Sequence, residues 1–221
     1  MKELYAKSIG SDDTFRFSCS CCGECCRNIR ESVMLESLDA YRLAQYLKQN
    51  GVASEIEEVF TEYAIPLTLG NTGYPIFVLK TKSHLSSCVF LKNGKCSIYQ
   101  VRPRACRLYP LSAKPGDKKG TIDCYVVSQN HHHFNGCERT VSDWMDTNFD
   151  VEARDFIEHD YHMAETLGKL YKKLRNKGVD EDKILYLILF FKYFNFDVDR
   201  PFMPQFFNNN EQLIKSLERF C

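Results

Sequence analysis

Five cysteines fall within eight residues, at Cys19, Cys21, Cys22, Cys25 and Cys26, and this is where the chain concentrates its chemistry. Six more bring the total to eleven: Cys88, Cys96, Cys106, Cys124, Cys137 and Cys221. A disulfide framework suits short secreted chains with an even count, and 221 residues with an odd count do not read that way. The opening segment MKELYAKSIGSDD carries none of the apolar run of a secretory leader, so the expected setting is reducing and cytoplasmic. Thiols packed this densely in such a setting point to metal ligation.

Cys19, Cys22 and Cys25 form C-x-x-C-x-x-C, with Cys26 adjoining. Two-residue gaps let a tight loop turn several sulfurs toward one centre, and Gly23 can adopt the backbone angles such a loop needs. Structural zinc sites usually join two separated C-x-x-C pairs, whereas three cysteines at successive gaps are like the start of a bacterial ferredoxin run. The spacing therefore favours an iron–sulfur cluster over Zn2+. Adjacent side chains point in different directions, so Cys25 and Cys26 are expected to serve two centres or to leave one thiol outside the ligand shell. Cys88 and Cys96 flank Asn93-Gly94, a pair that favours the positive φ angles of a type I′ hairpin turn, and a hairpin there brings their sulfurs together. Cys106 lies among Arg102, Arg104 and Arg107, whose charges are expected to lower its thiol pKa.

Four pieces occur in order: F-x-C-x-x-C-G-x-C-C at residues 17–26, a helix carrying Asp39 and Arg42, C-x-F-L…G-x-C-x-I-Y at 88–99, and R-P-x-x-C-R-x-Y-P at 102–110. Together they resemble the CxxCxxCC family of zinc- or iron-chelating domains, the YkgJ-type cysteine cluster proteins, over roughly residues 15–140. The resemblance implies metal ligands at Cys19, Cys22, Cys25, Cys26, Cys88, Cys96, Cys106 and Cys137. Many relatives carry Cys-Pro-Gly at the last of these, where this chain has Gly136-Cys137-Glu138. Cys21, Cys124 and Cys221 lie outside the pattern. The functions it implies are electron transfer or a cluster-dependent modification reaction, or else a structural zinc-binding or metal-handling module without catalysis. Some relatives are flagellin methylases, which adds protein lysine N-methylase activity as a further possibility.

Two other groups could bind metal, the run His131, His132 and His133, and the set Asp155, His159 and His162, spaced to share one helix face with Glu158 beside it. Solvated residues are the plainer account of both. No phosphate-binding glycine loop, dinucleotide-binding loop or serine nucleophile motif is present. With 29 basic and 29 acidic residues, nothing in the overall charge calls for nucleic acid as a partner. The most apolar run, residues 184–191 (ILYLILFF), is too short for a bilayer, which takes about 20 residues.

The elements expected to position these cysteines form an α+β unit. A cysteine-rich, metal-binding front with a small antiparallel sheet and hairpin occupies residues 1–140, and it packs on a helical C-terminal half, residues 141–221. A first helix is expected from an N-cap at Ser37, with Leu38, Tyr41, Leu43, Ala44 and Leu47 as its apolar stripe and Gly51 beyond its end. A second starts from a capping box of Ser54 and Glu57 and stops before Pro66. Strands are expected at 74–79 and 120–127. Helices are expected from Val141 to about Lys177, from Asp180 to about Phe196, and after Pro204.

Overall fold

Apolar residues three and four apart build the first helix, and in the computed structural model they face inward together. The structure describes residues 7–27, 29, 32–52, 55–68, 74–82, 86–118, 120–127 and 133–221. Helix α1 (Ser37–Gln49) buries Leu38, Tyr41, Leu43, Ala44 and Leu47, and also Asp39. Its N-cap is Glu36 rather than Ser37, and Gly51 follows its end at φ +68°. Helix α2 (Ile56–Tyr63) is capped by a box between Glu55 and Glu58, one residue later than the sequence suggests; Ser54 lies outside the described residues.

The strands are short and pair antiparallel throughout. β1 (Lys7–Ile9), β10 (Ile122–Val126) and β9 (Leu111–Pro115) make a three-stranded sheet with β10 central. β2 (Thr14–Arg16) pairs with β11 (Glu138–Thr140), which ties the cysteine segment to the start of the helical half. β3 (Ala64–Thr68) pairs with β4 (Pro75–Leu79), and β5 (Thr81–Lys82) with β6 (Ser87–Cys88). β7 (Leu91–Lys92) and β8 (Lys95–Cys96) form the hairpin, in which Asn93 (φ +49°) and Gly94 (φ +75°) supply the two positive angles of a type I′ turn.

Helix α3 (Arg104–Leu108) follows. The long helical stretch expected from Val141 is two helices, α4 (Val141–Asn148) and α5 (Val151–Asn176). Their break has a local cause: Phe149 leaves helical geometry, and the Asp150 carboxylate caps α5 by accepting from the Ala153 N–H at 2.9 Å. Helix α6 (Glu181–Leu189) runs into a π-helical turn over Phe190–Phe194. Helix α7 (Phe202–Glu218) begins before Pro204, which sits in its first turn, where a missing N–H costs nothing. Of residues 184–191 only Ile184 and Ile188 are fully buried, and Tyr186 is 65% exposed, so the stretch is fully covered along one face only.

One core joins α1, α2 and the strands to α4, the first turns of α5 and an aromatic group that includes Phe156, Phe196, Phe202 and Phe206. Phe196 and Phe202 stack at 4.8 Å between centroids. A second cluster of Leu167, Tyr171, Leu174, Ile184, Ile188, Leu213 and Leu217 holds α5, α6 and α7 together.

Candidate metal centre

The first cysteine segment closes into a loop because Gly23 takes φ +72° and opens the 3-10 turn Glu24–Cys26. This glycine lies directly against the hairpin: a Cβ at Gly23 would stand 2.5 Å from the Gly94 carbonyl oxygen and 2.8 Å from Leu91 Cδ1. The loop therefore docks on the Asn93-Gly94 turn at a distance only glycine allows, which sets Cys25 and Cys26 beside Cys96. Cys26 hydrogen-bonds to both of these thiols, and Cys96 is half-buried on β8.

Cys88 and Cys96 do not face each other across one hairpin ladder, as the sequence reading expects. Cys96 pairs with Leu91, whereas Cys88 lies on β6 opposite Thr81. Cys88 still comes within electrostatic reach of Cys96 and Cys25, because Lys82 on β5 donates through Nζ to the Leu91 carbonyl and holds the two ribbons together.

Cys106 is placed by polar contacts around its helix, those of Arg104 partly buried. Asp39, in the first turn of α1, accepts the Arg104 N–H at 2.9 Å and so caps α3 from a different helix. Arg104 grips Glu36 through Nε (2.8 Å) and Nη2 (2.6 Å) and donates to the Ala113 carbonyl at 2.8 Å. Arg107 donates through Nη1 to Asp150 at 2.9 Å, and Arg42 grips the same carboxylate at 2.8 Å through each of two nitrogens. Burial would raise Asp150, but the bonds from Arg42, the Ala153 N–H and Arg107 hold it well below the usual carboxylate range. Asp39 goes the other way: full burial, with Glu36 nearby, pushes it up to about 7 against the pull of Arg107 and Arg104. These contacts fix α3 so that Cys106 comes within reach of Cys88, Cys25 and Cys96.

The arginines around Cys106 act differently from the sequence expectation. Arg104 and Arg107 are engaged with carboxylates, and burial pushes the Cys106 thiol up rather than down. Arg102 lies near Cys25 and Cys96 instead. The hydrogen bond from Cys26, with a smaller contribution from Arg102, brings Cys25 down to about 7. The same bond brings Cys96 down to about 6, helped by the Ile98 N–H and Arg102. Cys26 itself is pushed far up by its two thiol partners and by burial, so it keeps the proton that the other two share.

Five of the eight expected ligands thus gather from three separate stretches of chain: Cys25, Cys26, Cys88, Cys96 and Cys106. The adjacent residues Cys25 and Cys26 interact with each other within this thiol group. The other three lie elsewhere. Cys19 hydrogen-bonds to Tyr99, whose hydroxyl is pushed up to about 12, and stands next to Cys21. Cys22 is exposed, with Sγ 3.8 Å from His133 Nε2. Cys137 is exposed just before β11, its carbonyl accepting the Phe17 N–H at 3.4 Å. Cys124 is buried on β10, and Cys221 is exposed at the last position.

Among the described residues, no three His, Cys, Asp or Glu side chains stand close enough to hold an ion as they are. The thiols are arranged as hydrogen-bond partners, and metal binding would replace those protons. An all-sulfur donor set with two lowered thiol pKa values suits zinc or an iron–sulfur cluster, both of which take thiolates. His131 and His132 lie outside the described residues. Asp155, His159 and His162 are exposed on α5, where His159 packs against Phe207 and His162 lies 3.9 Å from Glu165, so that face is a solvated one. Nothing in the local spacing of His133 distinguishes it from His131 and His132 in the sequence.

No helix among the described residues is long and apolar enough to cross a membrane. The family model described as "CxxCxxCC: Putative zinc- or iron-chelating domain" matches residues 18–138. No curated protein and no solved structure matches the chain.

Proposed function

The chain belongs to the CxxCxxCC family of zinc- or iron-chelating domains, and from that membership we propose that it holds an iron–sulfur cluster on thiols drawn from Cys25, Cys26, Cys88, Cys96 and Cys106. The observation that carries this reading is the Cys25–Cys26–Cys96 thiol group, with Cys88 and Cys106 within electrostatic reach of it. These sulfurs come from a glycine-docked loop, two short β-ribbons and a helix capped by Asp39, an expensive arrangement for thiols with no ligand. Five sulfurs with no nitrogen or oxygen donor among them suit an iron–sulfur cluster, which is held by cysteine thiolates. Arg102 beside Cys25 and Cys96 offsets the negative charge that thiolates bring. A cluster there supplies one-electron exchange; the protein's part is to hold the thiolates, exclude water at Cys88, and balance charge.

Anaerobic purification followed by iron, zinc and acid-labile sulfide analysis tests the proposal. Iron and sulfide in equal amounts, with broad visible absorption that bleaches on reduction, are expected. A colourless protein carrying stoichiometric zinc overturns the cluster and leaves a structural zinc module, while a protein that takes up neither metal overturns metal binding itself.

A further inference from the structure

His133 is buried, but its Nε2 reaches outward to an exposed cysteine of the metal motif. Its ring is held from inside: Nδ1 and the Tyr109 hydroxyl are 2.6 Å apart, and the imidazole packs edge-on against the Tyr109 ring at 5.6 Å. Tyr109 in turn packs edge-on with Phe17, and Phe17 with Trp144, whose indole N–H donates to the Leu108 carbonyl at 3.0 Å. The pairing of β2 with β11 and the Phe17–Cys137 backbone bond bring the 133–137 segment alongside the cysteine loop. The result is an oriented imidazole with Nε2 3.8 Å from Cys22 Sγ.

We infer that His133 and Cys22 form a mixed nitrogen–sulfur edge of a metal site separate from the five-thiol group, suited to a borderline divalent ion such as Zn2+ or Fe2+. Three observations converge on this. Metal–sulfur bonds of about 2.3 Å and metal–nitrogen bonds of about 2.0–2.1 Å at a tetrahedral angle put the two ligand atoms roughly 3.6 Å apart, close to the spacing seen. A ligating imidazole commonly hands its other ring N–H to a neighbouring acceptor, and the Tyr109 oxygen occupies that position. Cys22, exposed and turned toward His133, is not among the thiols that gather at Cys96. The inference rests on the metal-binding reading above but not on the cluster, since it requires an additional nitrogen-ligated ion.

The test is X-ray absorption at the zinc and iron edges of the full chain loaded with each ion in turn. Imidazole scattering is expected in the wild type and should disappear in His133→Ala and Cys22→Ala, with one equivalent of metal lost in each. A variant carrying both His131→Ala and His132→Ala should keep it. Tyr109→Phe should retain the nitrogen ligand but weaken affinity about 10–100-fold, as loss of a ligand-orienting partner does. Metal bound with a purely sulfur shell in the wild type overturns the inference while leaving the metal-binding reading intact, and this needs no variant to fold. Imidazole scattering that survives in His133→Ala, or that vanishes only with His131 and His132, also overturns it. A wild type that binds neither ion overturns both readings.

Discussion

Arg104 and Glu36 form a two-pronged ion pair at 2.6 and 2.8 Å, with each side chain only 15% exposed. The pair anchors α3, and with it Cys106, to the residue that caps α1. Removing one member leaves the other charge buried without compensation, at a cost of about 3–5 kcal/mol. Arg104→Ala should lower stability by that order in urea unfolding. Arg104→Lys should recover little, because an ammonium cannot reproduce the fork. An Arg104→Lys protein as stable as the wild type would show that the geometry of the pair is immaterial.

Asp39 makes a prediction about pH. Burial first, and Glu36 second, raise it to about 7 from the usual 3.8. Between those values the folded state holds a proton that the unfolded chain has released, so this group's stabilisation is complete near pH 4 and is lost as pH rises toward 7. Asp150 has the opposite sign, with a depressed pKa and a contribution lost only in acid. Asp39→Asn cannot titrate and can still accept the Arg104 N–H. Its stability relative to wild type should therefore grow from pH 4 to pH 7 in urea titrations, and parallel pH curves for the two proteins would refute the assignment.

Gly23→Ala should loosen the cysteine loop from the hairpin. The left-handed angle alone costs a residue with a Cβ about 1–2 kcal/mol, and the 2.5 Å approach to the Gly94 carbonyl adds a collision with backbone. Metal content per chain should fall well below that of the wild type, read by elemental analysis. Gly120→Ala also sits at positive φ (+76°) but with open space around it, so it serves as the control.

Which of these features could be read in advance depended on how local their causes are. The Asn93-Gly94 turn and the glycine after α1 are set by the residues that adopt them, and both stand as the sequence implies. The partner of Cys88 is not local. It is Thr81, on a two-residue strand too short to show any periodicity. The break between α4 and α5 is hidden because apolar spacing continues through Phe149 while Asp150 competes for the backbone as a cap. The docking of Gly23 on Gly94 and the capping of α3 by Asp39 join residues about seventy positions apart, which one sequence does not reveal. For the same reason the cysteines were identifiable as a set, but their division between the Cys96 group and the Cys22–His133 pair was not.

Thiol reactivity should follow this division. In metal-free protein at pH 7, Cys96 (about 6) and Cys25 (about 7) are substantially thiolate, whereas Cys106 is held protonated by burial. Iodoacetamide should modify Cys25 and Cys96 well before Cys106, as read by peptide mass spectrometry, and metal loading should suppress both. Equal rates at all three sites would contradict the hydrogen-bond order around Cys26.

Single-cysteine substitutions test the ligand set directly. Cys26→Ala and Cys96→Ala should abolish the bound cluster, while Cys21→Ala and Cys221→Ala should leave metal and sulfide content unchanged. Retention of the full complement in Cys96→Ala would remove the centre of the proposed group.

The gathering of sulfurs from three stretches of chain also sets a schedule for assembly. About eighty residues separate Cys26 from Cys106, and at elongation rates of about 5–20 residues per second the early thiols leave the ribosome roughly 4–16 seconds before the last one. The hairpin turn on which Gly23 docks, and the helix that carries Cys106, do not exist during that interval. The front cysteines must therefore stay reduced and unmetallated until the middle of the chain arrives, so the yield of loaded protein should depend on how oxidising the nascent chain's surroundings are.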